Sequence, residues 1–229
     1  MQNKNEKTEN KFDFAGFLQK NRKLILILVC VVIAAVIASI ALFSVFDVMR
    51  EKAITAVEDL GKRYEDIKST LNEEESQEEV LSLLDDLTVF AEKKSGYAGG
   101  RAWYIIASIY TEKNEWEQAE NAWVNAAKKI PKTYMSPLAW FNAGASAEEL
   151  GKPEEAINYY LNSISAPAGF SSAPRAQFSI GRLWEQLDND EEAISAYQEI
   201  ISKWPEDQVW PNIAHSRIIY LETKEFRVE

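Results

Sequence analysis

An aromatic side chain recurs every 37 residues, at Tyr104, Phe141 and Phe178, and the same step reaches His215, the only histidine of the chain. Arg101, Arg175 and Arg182 stand three or four residues from these rings. Rings and guanidinium groups are suited to recognition, since they dominate the binding energy where polypeptides meet. Catalysis has less to draw on. It normally needs a nucleophile, a base and an orienting group, and these 229 residues contain one histidine and one cysteine, Cys30, set in an uncharged stretch. His215 has no second histidine with which to share a metal and reads as a surface residue. Gly99-Gly100 lacks the further glycines of a phosphate-binding loop. The run Glu73-Glu74-Glu75 with Glu78-Glu79 lacks the alternating ligands of a calcium loop and reads as a solvated turn entering an acidic helix. No enzymatic activity, cofactor or metal is expected.

The same 37-residue period governs the elements that must carry these residues. Pro137, Pro174 and Pro211 keep it, and with Gly100, Pro137 and Pro174 as position 1 the columns align. Position 4 is Trp103, Trp140 and Gln177; position 8 is Ala107, Gly144 and Gly181; position 20 is Ala119, Ala156 and Ala193; position 24 is Trp123, Tyr160 and Tyr197. Each unit holds two stretches with apolar residues three and four apart, the spacing of amphipathic helices. Turn signals at Lys113-Asn114, Gly151-Lys152-Pro153 and Asp188-Asn189-Asp190 divide the stretches. A small residue at 8 facing a small residue at 20 would let the two helices approach, with the ring at 24 filling the space beside them.

These columns resemble the tetratricopeptide repeat, which pairs helices into hairpins and stacks them. Trp103, Ala107, Tyr110, Ala119, Trp123, Ala126 and Pro131 match its main columns, and Ile106 stands where it has leucine. The second unit departs with Ala147 at position 11, and the third with Gln177 at 4 and Trp184 at 11. The resemblance implies an all-α superhelix, an α-solenoid, with longer connectors at residues 131–136, 168–173 and 205–210, each holding a bulky apolar residue that could tuck under the next hairpin. It further implies that positions 2, 5, 9 and 12 of the first helices face a concave groove. On that basis Arg101, Tyr104, Ser108, Phe141, Arg175, Phe178, Arg182 and His215 are candidates for holding an extended or helical polypeptide. The alternative is that the position-5 rings pack against neighbouring hairpins. Trp103, Trp140, Trp123 and Tyr160 read as core. The carboxylate clamp known in this family is incomplete: Asn142 and Arg175 fit it, Tyr104, Ser108 and Ser179 do not.

On either side of the repeats the pattern weakens. Val57, Leu60, Tyr64, Ile67 and Leu71 alternate gaps of three and four, which fits a helix packed on residues 77–94 or a short coiled coil offering self-association through residues 48–71. Leu83, Leu87 and Phe90 echo a second helix, so residues 47–99 read as a linker helix and partial first hairpin. Three repeats then occupy residues 100–210 and a capping helix residues 211–229.

Residues 24–46 carry no charge over 23 positions. At about 1.5 Å per residue that length crosses a hydrocarbon core of about 30 Å, so a single transmembrane helix in contact with lipid is expected. It is too long for a cleaved signal, whose apolar region runs to about 15 residues. Residues 1–23 hold six basic groups (Lys4, Lys7, Lys11, Lys20, Arg22 and Lys23) against Glu6, Glu9 and Asp13, leaving 19 basic against 33 acidic groups in the rest. Basic residues next to the span predict a short cytoplasmic N-terminal segment and repeats on the far side, although Arg50, Lys52, Lys62 and Arg63 oppose that bias. A strongly acidic solenoid would be repelled by phosphate backbones, so nucleic acid is not an expected partner.

A short N-terminus, one span and extracytoplasmic repeats resemble the bacterial family that includes the ancillary subunit of the Sec translocon. That resemblance implies an inner-membrane protein that binds other proteins, passing exported polypeptides to periplasmic chaperones. The alternative is a structural scaffold subunit of a large envelope complex, such as a secretion system, a division complex or a flagellar motor periphery.

Overall fold

The computed structural model describes residues 14–70, 73–167 and 169–225. Leu71, Ala168, residues 226–229 and residues 1–13, with Lys4, Lys7 and Lys11, lie outside the described residues. Those described form α-helices and no strands: α1 (Phe14–Thr70), α2 (Glu73–Lys93), α3 (Gly96–Glu112), α4 (Trp116–Lys129), α5 (Met135–Glu149), α6 (Pro153–Ile164), α7 (Ala173–Gln186), α8 (Asp190–Lys203) and α9 (Trp210–Glu225). They fall into two compact units that divide between Glu51 and Lys52.

In the first unit α1 is long and apolar enough to cross a membrane. Every residue from Leu26 to Phe46 is exposed, Cys30 included. No glycine or proline occurs between Phe17 and Leu60, so nothing in the sequence ends the helix at residue 46. Where a separate linker helix was expected from residue 47, α1 simply continues to Thr70.

The second unit stacks helices in chain order, each packed on the next from α2 to α9. The C-terminal part of α1 buries Val57, Tyr64 and Ile67 in one cluster with Leu83, Leu84 and Leu87 of α2 and Ile105 and Ile106 of α3. Val57, Leu60, Tyr64 and Ile67 of the stripe considered for a coiled coil therefore pack inside the fold. Hairpins α3–α4, α5–α6 and α7–α8 turn where expected, with left-handed backbone at Asn114 (φ 57°), Gly151 (φ 66°) and Asp188 (φ 55°). Asparagine, glycine and aspartate tolerate that region better than most residues. Gly99 and Gly100 belong to the first turns of α3, where a Cβ on Gly100 would lie 2.6 Å from Ile130.

Positions 3, 7 and 10 of each first helix face the stack and are buried: Ala102, Ile106 and Ile109, then Ala139, Ala143 and Ser146, then Ala176, Ile180 and Leu183. In α9 the buried set is Ala214, Ile218 and Leu221, a step of 38 residues from α7 rather than 37. His215 accordingly falls in column 4 instead of column 5, and Ser216 takes the place of the ring. The core is not one mass but three clusters, reaching from α1 to α5, from α5 to α8, and from α7 to α9.

Candidate protein-binding face

The position-5 rings each meet the position-24 ring of their own hairpin. Tyr104 stands edge-on to Trp123 with centroids 4.6 Å apart, Phe141 lies 5.1 Å from Tyr160, and Phe178 5.3 Å from Tyr197. Two connector rings close over them: Phe170 at 5.7 Å from Phe141 and Trp210 at 5.3 Å from Phe178. Both rings meet the preceding hairpin, and both also pack against clusters that include residues of the next helix. In the first connector Tyr134 is exposed and Met135 is buried instead. Phe141 is consequently buried, while Tyr104 and Phe178 are half-buried. Trp123 and Tyr160 are buried as core, whereas Trp103 and Trp140 are half-buried at its edge.

The small residue at position 8 is there for the ring at position 24 more than for the alanine at 20. A Cβ on Gly144 would come within 2.8 Å of the Tyr160 ring, and one on Gly181 within 2.5 Å of Tyr197. Glycine inside a helix costs about 1 kcal/mol relative to alanine, and here it admits a buried phenol. The phenol's polar end is then satisfied by position 12 of the first helix. Tyr160 donates to Glu148 at 2.5 Å and Tyr197 to Glu185 at 2.6 Å, while in the first hairpin Trp123 donates to Thr111 at 3.0 Å.

A half-buried carboxylate needs further compensation, and each receives it from the next first helix. Arg182 of α7 bonds Glu148, and Arg217 of α9 bonds Glu185, its Nε at 3.0 Å. Burial and the hydrogen bonds to Glu148 and Glu185 raise the Tyr160 and Tyr197 phenols well above the ordinary tyrosine value, against the opposing pull of the arginines. A third tie joins second helices: Glu120 of α4 accepts from Lys152 and from Tyr159 of α6, both at 2.9 Å. Burial and that bond push Tyr159 up to about 12. At the head of the stack Glu112 of α3 accepts from Tyr64 and Lys68 of α1. Burial pushes its carboxyl up, but the two hydrogen bonds outweigh it and the group lies below the ordinary range.

The residues proposed from sequence thus divide among several places. Arg101 pairs with Glu58 at 3.1 Å and lies 5.8 Å over the Tyr104 ring, and Ser108 donates to the Tyr104 carbonyl at 3.0 Å. Arg101 and Ser108 also line an open hollow of about 490 Å³ between α1 and α3, with Glu58, Tyr64, Ile105 and Glu112. Arg175 is exposed and covers Phe141 at 5.1 Å. Arg182 is held by Glu148, and His215 is exposed on α9. Position 12, a groove column in the resemblance, holds the acceptors Glu148 and Glu185, which sequence reading did not single out. Among the described residues no group of three or more His, Cys, Asp or Glu is placed to hold a metal ion.

Residues 141–208 match the tetratricopeptide repeat family. The fold is a tetratricopeptide-repeat solenoid. A kinesin light chain protein of Podosopora anserina with nearly identical TPR-like repeats superposes with a TM-score of 0.54 at 11% identity, over 75% of this chain and 89% of its own. A point variant of that protein gives 0.55, also at 11% identity, over 75% and 88%. MamA gives 0.48 at 22% identity, over 68% of this chain and 85% of its own. At these identities the likeness is one of fold. No curated protein matches the chain. Tetratricopeptide solenoids are protein–protein interaction modules, without a catalytic apparatus of their own.

Proposed function

We propose that this chain is a single-pass membrane protein that uses its repeats to hold other polypeptides on the extracytoplasmic side, in the hand-over of exported proteins to envelope chaperones. The observation that carries the reading is the run from Leu26 to Phe46, helical, apolar and exposed throughout, joined to a repeat solenoid. An unburied apolar face of that length finds its favourable surroundings in lipid. Lys20, Arg22 and Lys23 precede it, which supports a cytoplasmic N-terminus. Fractionation followed by protease protection tests the placement. Repeats degraded in spheroplasts but protected in intact cells are expected; recovery of the full chain in the soluble cytosolic fraction would overturn the anchor.

The scaffold reading, a fixed part of a large envelope complex, is favoured by one observation of its own. The position-5 rings lie against other rings, and Arg101 and Arg182 are engaged in ion pairs, so this face is preset instead of adaptable. Photo-crosslinkers at Arg175 and at the exposed Tyr134 separate the two. Many weakly held clients support hand-over, and a single stoichiometric neighbour with a large interface supports the scaffold.

A further inference from the structure

Outside α1, the exposed large apolar residues among those described are Leu81, Val89, Tyr134, Leu161, Val209, Ile213, Ile219 and Tyr220. Half of them lie on α9 and its N-terminal cap. The reason is positional. Helices α3, α5 and α7 are each covered by the second helix of their hairpin, whereas among the described residues α9 packs chiefly on α8 and, less, on α7. Val209, Ile213, Ser216, Tyr220 and Thr223 follow one another at gaps of four, three, four and three, the seam that a pair of helices buries between them. All are exposed.

The Ser216 and Thr223 hydroxyls of this strip are already satisfied within their own helix. Ser216 donates to the Asn212 carbonyl at 3.0 Å and Thr223 to the Ile219 carbonyl at 2.8 Å. Removing water from such a face strands neither of these two donors. The Arg217 guanidinium, tied to Glu185, lies 4.8 Å over the Tyr220 ring and holds it in place.

We propose that α9 is a homodimer interface, and that the partner seated on it is α9 of a second copy, antiparallel and centred on Ser216. The strip is complementary to itself in that arrangement. Ile213 meets Tyr220, Val209 meets Thr223, and the two Ser216 side chains, the smallest of the strip, meet at the crossing, as a two-fold interface requires. Charge points the same way. Two copies of net charge −11 repel, and the seam positions carry no charge, so approach costs least there. A repeat-type second helix is the poorer occupant. In the stack such a helix brings a ring against Gly144 or Gly181, and the register of α9 puts Ile219 in that column. In the other self-association segment the sequence offered, residues 48–71, Val57, Leu60, Tyr64 and Ile67 already pack in one cluster with residues of α2 and α3.

Disulfide trapping of the full chain in its membrane, with Cys30→Ser removing the one native thiol, tests the pairing. Ser216→Cys should give a covalent dimer under mild oxidation. Val209→Cys and Thr223→Cys should each give little alone and a dimer when the two variants are co-expressed. Loss of the Ser216→Cys dimer, equal trapping from Ser202→Cys on the exposed side of α8, or a covalent product with a different protein would each overturn it. Sedimentation in detergent supplies a second readout. Tyr220→Asp and Ile213→Asp should each weaken the dimer at least about tenfold with unchanged helicity; a dimer unaffected by both would also overturn the proposal.

Discussion

The hairpin α3–α4 and the two hairpins after it fill the same space by different means. In the first, Trp123 gives its N–H to the neutral hydroxyl of Thr111. In the others a tyrosine sits over glycine and gives its hydroxyl to a glutamate, Tyr160 to Glu148 and Tyr197 to Glu185. The neutral pair is complete within its hairpin. The charged pair is not, because a half-buried carboxylate calls for a cation, and Arg182 and Arg217 bring one from the following helix. A choice made inside one hairpin thereby becomes a joint between two. Between the first and second hairpins the joint runs elsewhere, from Glu120 to Lys152 and Tyr159.

The largest expected effect comes from emptying the space altogether. Tyr197→Ala removes a fully buried ring that also contacts Phe178, and should cost about 3–5 kcal/mol in denaturant unfolding followed by circular dichroism. A loss under about 1 kcal/mol would show that the ring is not core. Next, a single methyl should act differently in the two kinds of hairpin. Gly181→Ala drives a Cβ into the Tyr197 ring and is expected to destabilise by about 1–3 kcal/mol, despite alanine's better helix propensity. If it stabilises instead, the close approach of glycine and ring is wrong.

High pH should separate the hairpins chemically. With folded-state phenols raised above the unfolded value of about 10, the native protein keeps protons that the unfolded chain releases. Their contribution is whole below pH 10 and is lost as pH rises past it toward the folded values. The denaturation midpoint should therefore fall above pH 10. Tyr160→Phe combined with Tyr197→Phe should begin less stable and fall less steeply; an unchanged slope would remove the phenols from the account. Smallest of all, Arg175→Ala uncovers one face of Phe141 at an exposed position and should shift stability by no more than about 0.5 kcal/mol.

How far these features can be read from sequence depends on whether they recur in register. Columns 8, 20 and 24 repeat the same kinds of residue, so the hairpins, their turns and the match of small residue to ring are legible. The surroundings of the position-5 rings are not, because Phe170 and Trp210 reach them from different points of their connectors and no column holds both. The arginine joints escape for a similar reason: Arg182 lies 34 residues beyond Glu148, and Arg217 lies 32 beyond Glu185. The register of α9 slips by one residue against the prolines, which displaced His215 from the ring column. In α1 the chain lacks any signal that would stop a helix, and reading a boundary at residue 46 followed the hydropathy change, to which hydrogen bonding along the backbone is indifferent.

Because each helix of the stack packs chiefly on those just before and after it, damage has no shortcut along the molecule. Warming that loosens α9 must work through α8 and α7 before α3 feels it, so the protein should erode from its ends by steps, and a melting curve followed at Trp123 should lag one followed at Trp210.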